Sequence, residues 1–152
     1  MYKNIEEDIS SVLMTQNKKK REINLKLYIE NKKINMDILN KFNIYKILGK
    51  LNDNLLENVI FKEETTSTSK ILFLFKAINK DMGIGPKYMY IRARKIETDN
   101  NIKIICENEN FNETEKQYEK YKQILCDFSV INIDFINKNK VLINSLFQID
   151  IN

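Results

Sequence analysis

The sequence predicts an α+β fold: a mostly antiparallel sheet of about six or seven strands with two or three helices, able to close partway into a barrel or to pack as a sandwich. Three observations predict it. Segment 71–78, ILFLFKAI, is apolar on both faces, the mark of an interior strand. Short alternating runs on either side of it follow one another without intervening helices, which argues against a doubly wound parallel sheet. Three other stretches carry apolar residues at helical spacing instead.

Taken in order, residues 4–15 place Ile5, Ile9, Val12 and Leu13 on one side behind an acidic start, with Asn4 as a cap, and so predict a short amphipathic helix. INLKLYI, 23–29, alternates cleanly and predicts a strand with one wet face. In 36–48, Ile38, Leu39, Phe42, Tyr45 and Leu48 form an apolar stripe, with Gly49 as the expected stop, so a second helix is predicted. Strands follow at 55–62, 71–78, 88–96 and 102–106, separated by the polar loop 64–69, the loop 79–87 and the turn 98–101. The spacing is that of an antiparallel meander. Residues 112–125 carry Tyr118, Tyr121, Ile124 and Leu125 at helical spacing and predict a third, exposed helix. FSVINIDFI and VLINSLFQIDI, 128–136 and 141–151, predict a closing hairpin around NKNK. With no repeat, linker or low-complexity tail, residues 1–152 read as a single domain.

Composition narrows the chemistry. The 152 residues are 43% hydrophobic and 30% charged, enough for a core without disulfide staples. There are 24 Ile, 21 Asn and 22 Lys against 2 Ala, 3 Gly and 1 Pro, a bias that points to an AT-rich genome such as that of a large DNA virus, a protist or a low-GC bacterium. Histidine is absent, which removes Ser-His-Asp and Cys-His catalysis, imidazole acid–base steps and histidine metal ligation. Cys106 and Cys126, without histidine partners, make an incomplete metal set and read as free, buried thiols. No cofactor motif is present. Gly83-Ile84-Gly85-Pro86 lacks the P-loop lysine and the βα context, and reads as a rigid connection between strands. The N-terminus has no apolar signal-peptide core and no run is long enough to span a bilayer, so an intracellular protein (cytoplasmic or nuclear) without a membrane partner is expected.

One surface stands apart. Segment 82–95 holds two of the three glycines, the sole proline and two of the three arginines. By the period of two, Tyr88, Tyr90, Arg92 and Arg94 share a strand face, while Met89, Ile91 and Ala93 share the other. Rings stack on bases and guanidinium forks grip phosphates, so this face fits single-stranded nucleic acid or another polyanion. Lys87 and Lys95 add charge at the strand ends, and Lys18, Lys19, Lys20 and Arg21 form a second basic cluster. Tyrosine and arginine are also ordinary on a sheet's solvent face, where arginine covers apolar surface or pairs with cross-strand acids. The function expected is therefore a non-enzymatic binding module for nucleic acid or another polyanion. The alternative is a structural or interaction component, such as a small virion or assembly protein, that docks on a protein partner or a second copy of itself.

Overall fold

The computed structural model describes residues 9–17, 22–30, 39, 42–51, 53–77, 85–112, 116–137 and 139–150. Among these, the strands are β1 (Ile9–Asn17), β2 (Glu22–Glu30), β3 (Leu56–Glu64), β4 (Thr68–Phe75), β5 (Lys87–Glu97), β6 (Asn101–Asn108), β7 (Lys122–Gln123), β8 (Leu125–Asn137) and β9 (Lys140–Asp150). One short helix, α1 (Asn43–Leu51), and a 3-10 turn at Lys116–Tyr118 complete the set. The sheet runs β1-β2-β9-β8-β6-β5-β4-β3, with antiparallel neighbours throughout. β7 is the exception, a parallel addition to the start of β5 through Lys87↔Lys122 and Tyr88↔Gln123.

Local turn chemistry sets the hairpins. The Thr65 N–H donates to Thr68 O at 2.8 Å, and the two threonine hydroxyls lie 2.7 Å apart, closing β3 onto β4. The Thr98 N–H donates to Asn101 O at 2.9 Å between β5 and β6. Asn137 pairs with Lys140, and the Asn139 N–H donates to Asn137 Oδ1 at 2.9 Å, so β8 and β9 join through a two-residue loop. The long-range step is β2 on β9, which joins residues 22–30 to 140–148.

These registers line up one apolar face. Leu27 pairs with Ile143, Ile143 with Ile133, and Ile133 with Ile102, all buried. Ile104, Cys106, Ala93, Ile91, Ile71 and Phe73 continue the face across β6, β5 and β4. Each fully buried aliphatic side chain contributes about 1.5–3 kcal/mol. Helix α1 lies on this face, with Ile44, Tyr45 and Ile47 in the same cluster. The Tyr45 ring meets Phe73 edge-on at 5.6 Å, and Lys46 lies over the Phe61 ring at 5.1 Å.

The expected α+β fold with two or three helices is corrected: the structure is a sheet of eight strands in sequence of pairing, plus β7, with one short helix among the described residues. The predicted helix at 4–15 is strand over its described part, residues 9–15, which lie in β1, because the edge of β2 offers a ladder from Ile9↔Ile29 to Asn17↔Glu22, with one irregularity after Ile9. Pairing to a neighbour overrides a helical pattern this short. Of the helix predicted at 36–48, residues 43–48 lie in α1, which runs through Gly49 to Leu51 rather than stopping there, and Leu39 is helical too, while residues 36–38, 40 and 41 lie outside the described residues. Gly49 serves close approach instead: a Cβ on it would sit 3.0 Å from Val59 Cγ2 on β3. Over its described residues, 112 and 116–125, the helix expected at 112–125 is instead the 3-10 turn, β7 and the start of β8, for reasons of aromatic packing given below. The strand expected at 71–78 begins earlier, at Thr68, and ends at Phe75.

Candidate functional site

The sheet has two faces, and β5 divides its candidate residues between them. On the outer face, Tyr88 and Tyr90 do not offer open rings. The chain leaves β6, carries Phe111, Tyr118 and Tyr121 across the outer surface, and returns to β5 where Lys122 N–H donates to Pro86 O at 3.1 Å and Ile124 N–H to Tyr88 O at 2.7 Å. Phe111 lies 5.0 Å from the Tyr88 ring and 5.2 Å from the Tyr90 ring. Tyr118 packs edge-on against Phe111 at 5.4 Å. The Tyr121 hydroxyl donates to Glu57 Oε2 at 2.7 Å. Leu72 and Leu74 of β4 complete this second apolar layer. Burial pushes the Tyr88 and Tyr90 hydroxyls above their ordinary pKa. This layer also accounts for the 112–125 segment: Tyr118 and Tyr121 pack on the sheet from the 3-10 turn and the residue before β7, and the main-chain bonds to Pro86 and Tyr88 hold that strap on β5.

Arg92 is engaged by acids. Its guanidinium donates to Glu107 Oε1 at 2.5 Å and lies 3.8 Å from Glu109 Oε2. Hydrogen bonding to Glu107 raises its pKa further. Arg92 and Arg94 are exposed and flank a groove of about 400 Å³ with Thr68, Ile105 and Glu107. Lys18, Lys19, Lys20 and Arg21 lie outside the described residues. The structure thus gathers the tyrosines and both arginines on the outer face, but with the rings already packed and Arg92 already paired.

Lys87 and Lys95 belong to the other face. Lys87 is opposite Phe75 and Lys95 opposite Ile104, on the side occupied by Met89, Ile91 and Ala93. Lys95 is 9% exposed, and its Nζ lies 3.4 Å from Glu97 Oε2. Three serines join it on this interior face. Ser69 is opposite Ala93, Ser129 opposite Cys106, and Ser145 opposite Ile131. Ser69 is 1% exposed and its Oγ has no hydrogen-bond partner. Sequence reasoning passed over these serines and placed Lys95 with the outer-face cations; the same period of two that grouped Tyr88 with Arg94 puts Lys95 with Met89, Ile91 and Ala93.

At the centre of the interior, the Tyr45 hydroxyl and Cys106 Sγ are 2.6 Å apart. Burial pushes the Cys106 thiol up to about 12, against the hydrogen bonds from Tyr45 and Ser129 that pull it down. Burial, with the neighbouring thiols, also holds Tyr45 well above its ordinary range. Both groups are neutral at physiological pH, so they line a dry wall and supply neither nucleophile nor base there. Cys126 is buried and, like Cys106, a free thiol. Among the described residues no three His, Cys, Asp or Glu side chains cluster to hold a metal ion. No helix among them is long and apolar enough to cross a membrane.

An antiparallel sheet that holds a helix against one apolar face is the helix-grip arrangement, and the chain is similar in fold to solved StAR-related lipid-transfer domains. Human STARD10 superposes with a TM-score of 0.62 at 10% identity, over 91% of this chain and 60% of that one. The human StarD13 (DLC2) lipid transfer and protein localization domain superposes at 0.64 with 8% identity, over 93% and 75%. Human StAR-related lipid transfer protein 5 superposes at 0.63 with 7% identity, over 95% and 74%. The chain spans 60% of the length of the first of these. No protein-family model and no curated sequence matches it.

The expected functions are corrected by this fold and this site. The nucleic-acid or polyanion module required open tyrosine faces, which Phe111 and Tyr118 fill, and the structural neighbours are lipid-transfer domains. The alternative of a virion or assembly component, the AT-rich viral reading, and the partners expected with them (nucleic acid, another polyanion, a docking protein or second copy) are corrected on the same ground.

Proposed function

We propose that this chain is a lipid-binding module that holds the apolar part of its ligand between the interior face of the sheet and the elements packed on it. The observation that carries the reading is the continuity of that face: apolar side chains run in register from β2 through β9, β8, β6 and β5 to β4, with α1 laid against them. A wall of this size and polarity is suited to a long apolar ligand, whose transfer from water gains about 25 cal/mol per Å² buried. The fold similarity supports the same reading, since two of the three neighbours are described as lipid-transfer proteins. We assign binding without covalent chemistry: the central thiol and phenol are neutral, and the chain has no histidine. Two free buried thiols are the state a reducing compartment maintains, and we place the protein inside the cell.

Native mass spectrometry of the purified protein, followed by extraction and lipid analysis, tests the reading. Retained lipid in stoichiometric amount, exchangeable for a fluorescent acyl-chain probe, is the expected result. Protein that carries no lipid and takes up no probe at micromolar concentration would overturn it.

A further inference from the structure

The interior face is closed where α1 sits on it. Ile71, Ile104 and Ile133 are fully buried, and Ile44, Tyr45 and Ile47 of α1 belong to the same cluster. Protein interiors are close-packed, so a long apolar ligand reaches this face only where a covering element moves aside. Two observations single out α1 as that element and its seam with β3 as the place. The first is Phe42, which leads into α1 with a φ of 63°. The left-handed region costs free energy for a bulky side chain, and such strain collects at clamps and switch segments. Phe42 is held there by full burial and by the Tyr45 N–H, which donates to Phe42 O at 3.0 Å. The second is the seam itself. α1 approaches β3 at Gly49, where a Cβ would sit 3.0 Å from Val59 Cγ2 and 4.0 Å from Val59 Cβ. Beside that contact a groove of about 340 Å³ opens to water between α1 and β3. Its apolar lining is Leu56 and Val59, which pack against the main core, so the groove is continuous with the interior cluster.

We infer that the seam between α1 and β3 is the entrance to the interior face, and that α1 is its door, pivoting at Phe42. The inference rests on the lipid-binding reading above and adds the ligand's route. The occupant of the groove is the acyl chain of the incoming ligand, which meets Leu56 and Val59 first and follows the apolar lining inward. Gly49 offers no side chain to interlock with β3, so the seam parts without one having to withdraw. Opening also separates Lys46 from the Phe61 ring, 5.1 Å away in the closed form. Return of Phe42 to ordinary backbone geometry offsets part of that loss.

The test pins the door. The 4.0 Å between Cβ positions lies within the roughly 3.5–4.5 Å that a disulfide spans, so Gly49→Cys combined with Val59→Cys closes the seam reversibly. Val59→Cys also removes the Cγ2 that a Cβ at Gly49 would meet. Oxidised glutathione forms the bridge and dithiothreitol removes it. Alkylation in denaturant then finds only the thiols of Cys106 and Cys126 free in the bridged form. Stopped-flow uptake and release of a fluorescent long-chain fatty acid give the rates. The bridged form takes up and releases the probe at least about 10-fold more slowly than the same variant reduced, both rates falling because a shut entrance delays both directions. Hydrogen exchange gives an independent measure: in the wild type the α1 amides exchange faster than those of β8 and β9, and bridging slows α1 alone. Equal probe rates in the bridged and reduced forms, or wild-type α1 amides protected as strongly as those of β8 and β9, overturn the entrance while leaving the lipid-binding reading in place. Failure of the two introduced thiols to bridge overturns it as well, because α1 and β3 would then not meet at Gly49 and Val59. A wild type that takes up no probe overturns both readings.

Discussion

Cys106 shows how burial alone changes the chemistry of a side chain. Its thiol is 1% exposed, lies 2.6 Å from the Tyr45 hydroxyl, and is pushed up to about 12. At mildly alkaline pH the reactive thiolate is therefore a minute fraction in the folded state, and becomes appreciable only when unfolding restores the ordinary value near 8.5. Iodoacetamide should modify Cys106 slowly in native protein, while in denaturant both cysteines should react quickly without prior reduction. Peptide mapping after timed labelling measures this. Native labelling of Cys106 at the denatured rate would show that the site is open to water.

At the scale of elements, β4 and the aromatic strap make separate predictions. Phe73 is 6% exposed, faces α1 and meets Tyr45 edge-on. Phe73→Ala should cost about 3–5 kcal/mol through lost transfer energy and the cavity left behind. Chemical denaturation should read this as a lower midpoint with an unchanged slope. Phe75, only half-buried beside it in the strand, should cost less, and equal losses would place the two in equivalent environments. The strap carries a pH signature. Burial, then the hydrogen bond to Glu57, raises Tyr121 to about 12. In the unfolded chain it ionises near 10. Because the folded value is the higher one, the stabilisation is complete below pH 10 and is lost as pH rises toward 12. Stability should fall across that window, and Tyr121→Phe should flatten part of the fall. Identical alkaline profiles for wild type and variant would remove Tyr121 from the account.

For the whole molecule, the decisive contact is β2 on β9, which joins the ninth strand to the second across more than a hundred residues of chain. β9 also pairs β8, so it links the β1-β2 pair to the rest of the sheet. A chain ending at Asn137 loses both contacts and exposes the edges of β2 and β8. Such a chain should show no cooperative thermal transition and should aggregate, since two long unpaired edges invite intermolecular pairing. A sharp transition near that of the full chain would show that the sheet is complete without β9. Pairing over this sequence distance also places the protein among slow folders, because loop closure precedes the contacts that reward it.

The sequence by itself determined the local patterns. The double-faced apolar run of β4, the alternation of β2, β5, β8 and β9, the hairpin at NKNK and the lack of histidine chemistry are all legible, because each depends on neighbours a few residues apart. Helical spacing at 4–15 and 112–125 was legible too, but it described residues whose partners lie elsewhere. β1 is a strand because β2 has a free edge, and the 112–125 tyrosines face inward because Tyr88 and Tyr90 are beneath them. The candidate site divides the same way. Alternation alone separates Tyr88, Tyr90, Arg92 and Arg94 from Lys95, but which face is the interior depends on where α1 and the strap pack. That choice belongs to the tertiary structure: a strand's two faces are equivalent until other elements cover them, and covering one turned Lys95 and Ser69 into buried polar groups while it left Arg92 and Arg94 in water.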